Sequence, residues 1–179
     1  VAVHPNRGGR YYYEMVLPPN FGDRLKVIVM GWGSKLHEVQ GSSQHVGSNF
    51  HSWGFNGRNR VRLLTGEHEI PIPHNPVAGD VVGSLLDLDT KQMCWSVNGV
   101  LLQWVDIPLQ GDGEPIYPYV SASVEPHHVT VRLNETQYLP DGYTDFRSNI
   151  DDALLKAPST AAPAQSYAFY KDVTVLVNE

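Results

Sequence analysis

Apolar residues fall in short blocks along this chain, and Gly, Pro, Asn and Asp separate the blocks. That pattern predicts strands rather than helices. An aromatic-rich strand is expected over 11–17, stopped by Pro18-Pro19, and a nearly continuous apolar strand over 25–30, ended by Gly31-Trp32-Gly33. Shorter strands are expected over 52–55 and 60–64. The clearest element is a three-stranded meander over 81–104: a strand over 81–88, a turn at Asp89-Thr90-Lys91, and a return over 92–97. In that return Met93, Trp95 and Val97 share one face, with Cys94 and Ser96 on the other. Asn98-Gly99 then signals a two-residue hairpin, because both turn positions need positive φ, and a third strand follows over 100–104. Leu85, Leu86, Met93, Trp95 and Val97 are the candidate core of this piece.

Farther on, 116–123 reads as a strand, and Val129, Val131 and Leu133 alternate with Thr130, Arg132 and Asn134. Residues 34–51 and 66–79 read as long loops and 135–147 as a turn-rich connector. A short helix over 149–157, with Ser148 as N-cap and Asp151 three residues on, precedes a linker over 157–166. A last strand over 167–177 needs cover for its apolar residues. It is expected to return to a sheet edge, beside the first strand. The division this implies is a sandwich over 1–147, a connector over 148–166 and a returning strand over 167–179. The fold class is all-β: a two-sheet antiparallel sandwich.

Composition narrows the function. A length of 179 residues suits one domain with a real core, and 41% hydrophobic against 18% charged residues is a globular balance. The net charge of −6 and the absence of a basic stripe broader than Arg58, Arg60 and Arg62 argue against nucleic acid. A single cysteine, Cys94, rules out an internal disulfide, which points to an intracellular setting. No apolar run approaches the ~18 residues of a membrane span, so no membrane insertion is expected.

Several segments together resemble the SPRY domain family. Arg10-Tyr11-Tyr12-Tyr13-Glu14-Met15 is similar to its opening strand, and Met30-Gly31-Trp32-Gly33 to a later strand end. Ser52-Trp53-Gly54-Phe55 with Asn56-Gly57-Arg58-Asn59-Arg60 follows. The most specific block runs from Asp80 to Gly99, and Tyr117-Pro118-Tyr119-Val120-Ser121-Ala122 resembles the closing strand. The resemblance covers about 8–143. It is nearest to SPRY and SOCS-box proteins, F-box SPRY proteins and ryanodine-receptor SPRY domains. It implies a protein-interaction module whose partner is a protein or peptide, including neighbouring domains of one assembly. It also implies that the segments 34–51, 57–59 and 123–127 meet at one end of the sandwich. The contact residues expected there are Lys35, His37, Ser42, His45, Asn49, Phe50, Arg58, Val124 and Glu125. Where the SPRY and SOCS-box proteins grip an acidic, Asn-rich peptide with an aromatic and a Trp, this chain has Ser42 and Val124. Glu125 adds a like charge against such a peptide.

Other chemistry gives way to structural readings. Asp87 and Asp89 could mimic a glycosidase pair, but Asp also caps hairpin turns. His37, His45 and His51 share a loop and His127-His128 are adjacent. Neighbours on a strand point to opposite faces and do not chelate one ion, so no metal is expected. Cys94, mid-strand between Met93 and Trp95, reads as an inert buried thiol. Trp32, Trp53, Trp95 and Trp104 are expected in the core. Were they exposed, they could form the aromatic platform of a carbohydrate-binding, lectin-like sandwich, the alternative function. No nucleophile, phosphate-loop or metalloprotease motif is present, so neither catalysis nor a cofactor is expected.

Overall fold

The computed structural model describes residues 3–19, 21, 27–34, 52–56, 60–63, 66–107, 109, 114–123, 127–146 and 173–177. Side chains are described at these positions except 27, 60–63, 66–69, 121–123, 127–128 and 173–177. After a short 3-10 helix over Pro5–Arg7, the strands are β1 (Arg10–Val16), β2 (Val27–Ser34), β3 (Ser52–Asn56), β4 (Arg60–Leu63), β5 (Gly66–Glu69), β6 (Val81–Asp87) and β7 (Gln92–Val97). They continue with β8 (Val100–Leu101), β9 (Val105–Asp106), β10 (Ile116–Ser123), β11 (His127–Arg132), β12 (Thr144–Asp145) and β13 (Val173–Val177). The larger sheet runs β13-β11-β1-β6-β7-β8, with β12 on β1 and β9 on β7. The smaller runs β10-β2-β3-β4-β5. The chain is therefore nearly all β, in two largely antiparallel sheets, as its alternating pattern predicts.

Alternation decides what fills the space between them. On β1, Tyr13 and Met15 enter the main core while Tyr12 and Glu14 face out; on β7, Met93, Trp95 and Val97 enter while Cys94 faces out. Tyr13 stands edge-on to Trp32 (5.1 Å between centroids), Trp32 to Phe146 (5.6 Å), and Phe55 stacks on Trp95 (6.0 Å). Each such side chain contributes about 1.5–3 kcal/mol through removal from water. The buried Tyr13 hydroxyl donates toward the carbonyls of Gly31 (2.6 Å) and Tyr119 (3.0 Å), which ties β1 to the opposite sheet. Gly31 permits the β2–β3 approach there: a Cβ would run into the carbonyl of Trp53 and lie 2.7 Å from the Cα of Gly54.

The hairpin at Asn98-Gly99 forms as expected, with φ of 49° and 81°. The turn over 88–91 is held by Asp87, whose Oδ1 accepts the N–H groups of Asp89 (2.9 Å) and Thr90 (3.0 Å). Four boundaries differ from expectation. β2 runs on through Gly31-Trp32-Gly33 to Ser34, because both glycines pair within the sheet. Gly66–Glu69 is a strand beside β4 rather than a loop; its sequence, GEHE, has no apolar residue to announce it. The third meander strand is only Val100–Leu101, and Val105–Asp106 returns separately to β7. Within the connector, Thr144–Asp145 pairs with β1. Leu85 is buried, but in a second cluster with Tyr12 and Cys94 on the outer face of the larger sheet. β13 lies parallel to β11, which separates it from β1. The expected helix over 149–157 and linker over 157–166 lie outside the described residues.

Candidate functional site

All nine expected contact residues lie outside the described residues: Lys35, His37, Ser42, His45, Asn49 and Phe50 between β2 and β3, Arg58 between β3 and β4, and Val124 and Glu125 between β10 and β11. The strands that carry these connections are described. Ser123 pairs with Val27, Val29 with Asn56, and Asn56 with Arg60, so 57–59 and 124–126 leave the smaller sheet from one end. Ser34 pairs with Ile116 and Gly33 with Ser52, so 35–51 leaves from the other end. The expectation of a shared end is thus corrected at the anchor points. β2 spans eight residues, about 23 Å at the usual rise, and 35–51 would have to run back along that length to reach the other two segments. The chain of 35–51 is long enough for that.

The anchors are polar. Ser34, Ser52 and Asn56 are buried polar residues at the strand ends. Val3 and Ile116 exchange backbone hydrogen bonds (2.8 Å each), which fixes the start of β10. On the larger sheet, Asp80 fastens the connection before β6 to the hairpin: it accepts from the Val77 N–H (2.8 Å) and the Asn98 side-chain amide (2.9 Å), and pairs with His74 (3.0 Å). Burial alone would raise the Asp80 pKa. The hydrogen bonds from Val77, Asn98 and His74 outweigh it and hold the carboxyl below the usual carboxylate range.

A second carboxylate organises the outer face. Glu14 is fully buried and accepts from the Tyr12 hydroxyl (3.0 Å) and from the backbone N–H groups of Gln137 (2.8 Å) and Tyr138 (2.6 Å). Arg132 approaches it at 3.4 Å. These bonds fasten the β11–β12 connection across the sheet, and Tyr143 within it packs on Tyr12, Leu85 and Cys94. Burial pushes the Tyr12, Tyr13 and Tyr143 hydroxyls well above the usual phenol range. Sequence reasoning placed Glu14 in a motif without seeing this role; a lone Glu in an aromatic strand is the only signal it leaves.

Asp87 is committed to the turn and to Arg10 (Nε to Oδ2, 3.0 Å), and Asp89 accepts the Gly9 N–H (2.9 Å), so the glycosidase-like pair is spent on backbone and structure. Burial pushes the Cys94 thiol up to about 11, against the opposing hydrogen bonds to Leu102 and Trp95, which keeps it protonated and unreactive at neutral pH. Among the described residues no three His, Cys, Asp or Glu are grouped to hold a metal ion. None of the described helices is long and apolar enough to cross a membrane. Trp32, Trp53 and Trp95 are buried and cannot form a sugar platform. Trp104 departs from expectation: it is 36% exposed and lies 6.4 Å from the Tyr143 ring, because β8 ends before it and leaves it at the rim.

No curated protein matches the chain. The family model for the SPRY domain matches residues 10–137, from the first residue of β1 to the Gln137 N–H held by Glu14. That span covers most of the chain, the whole smaller sheet and all of the larger except β12 and β13: the chain belongs to the SPRY domain family, whose members are generally non-catalytic protein-interaction modules.

Proposed function

We propose that this domain binds an extended segment of a protein partner through the connections of its smaller sheet, and that it performs no chemistry. The observation that carries the reading is the SPRY match across both sheets. Paired strand ends flank 35–51 and 57–59 and precede 124–126, and connections on a folded scaffold are where binding residues concentrate. Lys35, His37, Ser42, His45, Asn49, Phe50, Arg58, Val124 and Glu125 are the proposed contacts. His45 and Arg58 would meet acidic groups, while Phe50 and Val124 would offer apolar anchors. The partner is another protein inside the cell, including a neighbouring domain of the same assembly. The sandwich over 1–147 and the strand over 167–179 are proposed to act as one unit, joined by the connector 148–166.

A capture experiment tests this. The wild-type domain should retain a partner that a His45→Ala/Phe50→Ala/Arg58→Ala variant with the same melting temperature loses. Equal retention by both would sink the loop assignment. Selective binding on a glycan array, with no protein retained, would favour the lectin-like alternative.

A further inference from the structure

We infer a second interaction surface, on the larger sheet around β8, that fits an extended peptide with aliphatic or aromatic side chains flanked by Lys or Arg. It lies on the other sheet from β2, β3 and β4, the strands that anchor 35–51 and 57–59. Leu101 (46% exposed), Trp104 and Leu139 (42%) are large apolar side chains left in water. The Glu14 clamp holds the β11–β12 connection, which carries Leu139, beside the hairpin and Trp104: Tyr138 lies against Gly99 at the hairpin tip, and Tyr143 against Trp104. Leu101 pairs opposite Ser96 and so faces outward with Cys94, on the same face that Tyr143 covers. An exposed apolar group of this kind, held in place by a buried polar anchor, is a surface shaped for a partner.

Charge selects the occupant. Asp106 follows Trp104 by two residues, Glu135 precedes Tyr138 by three, and Asp141 sits between Leu139 and Tyr143; all three are exposed. The two arginines of this face are already engaged, Arg10 with Asp87 and Arg132 with Glu14. Of the other described cations, Lys91 stands in the turn before Gln92 and Arg7 beside Tyr11. A second copy of this chain would bring the same acids and a net charge of −6, so a basic segment is favoured over self-association. The backbone offers a register as well. The N–H of Leu102 donates to Trp95 (2.8 Å) and Val100 pairs with Val97, so the N–H and C=O of Leu101 between them point away from β7, where the sheet ends among the described residues.

The test uses the full chain and short fluorescent peptides with a Leu- and Phe-containing core and Lys-Arg flanks, beside twins with Glu flanks. Fluorescence polarisation should show saturable binding of the basic peptides and little binding of the acidic twins. Salt should weaken the complex. A Leu101→Ser/Trp104→Ser variant, altered only at exposed positions, should bind at least about tenfold more weakly. The His45→Ala/Phe50→Ala/Arg58→Ala variant should bind normally. The inference is overturned if no peptide binds saturably, if the twins bind alike, or if the Leu101→Ser/Trp104→Ser chain binds as well as wild type. It also fails if the loop variant alone loses the peptide, which would place the contact on the smaller sheet, or if wild type sediments as a dimer that Leu101→Ser/Trp104→Ser dissociates.

Discussion

Both faces of the larger sheet are buried along β1, β6 and β7, but by different means. The inner face is covered by a second sheet and is almost wholly apolar: Met15, Val82, Leu86, Met93, Trp95 and Val97 meet Trp32, Trp53 and Phe55. The outer face is covered by the chain's own β11–β12 connection, whose Tyr143 packs on Tyr12, Leu85 and Cys94, and the cover is fastened chiefly by polar bonds, those to Glu14 foremost. The inner face draws its stability from many weak contacts, none of which is indispensable in kind. The outer face depends on a few directional bonds, each costly to leave unmade. One side therefore joins the two sheets, and the other holds in place the connection that shapes an outer surface.

The largest expected effect lies on the inner face. Trp95→Ala should cost about 3–5 kcal/mol, read by thermal or denaturant unfolding, because the cavity would open between the two sheets. A wild-type transition would remove Trp95 from the core and erase the contrast.

Glu14→Ala comes next. It would leave the buried Tyr12 hydroxyl and the part-buried Gln137 and Tyr138 N–H groups without this acceptor, and Arg132 with Gln137 alone, at a cost of about 1–3 kcal/mol. Hydrogen exchange should quicken at Gln137 and Tyr138 and stay slow in β6 and β7. Uniform quickening would mean that the two faces unfold as one and that the distinction is wrong.

Acid sharpens the comparison further. The Asp80 carboxyl has a folded pKa below its unfolded value, so its contribution is fully present above the unfolded pKa and falls away as pH drops through the folded one. Melting temperature should therefore decline at the acid end, below about pH 4. The decline should be shallower in Asp80→Asn, and an identical acid limb would show that the knot to Asn98 and His74 contributes nothing. The smallest effect is expected at Trp104→Ala. A ring about a third exposed at the rim should change stability by only about 0.5 kcal/mol, and a loss as large as that of Trp95→Ala would make it a core residue.

The inner face was legible in the sequence because alternation with period two writes it directly: Met93, Trp95 and Val97 against Cys94, and Tyr13 and Met15 against Tyr12 and Glu14. The hairpin at Asn98-Gly99 was legible because only a few residues accept positive φ. What escaped shares one cause, that non-local pairing leaves little local signature. GEHE becomes a strand only because β4 lies beside it, and Thr144–Asp145 only because β1 has a free edge there. Leu85 reads as ordinary core until the connection that covers the other side is seen. Trp104 reads as core until β8 stops short of it. For the candidate site, the sequence supplied residue types on three connections, while the register showed that their anchors occupy opposite ends of the smaller sheet.

The central claim is that the domain works by gripping a protein segment with those connections. Hydrogen exchange of the domain, free and bound to the captured partner, tests it most directly. Slowed exchange within 35–51, 57–59 or 124–126, with β6 and β7 unchanged, is the predicted result. Protection confined to 100–104 and 138–143, or none anywhere, would contradict it.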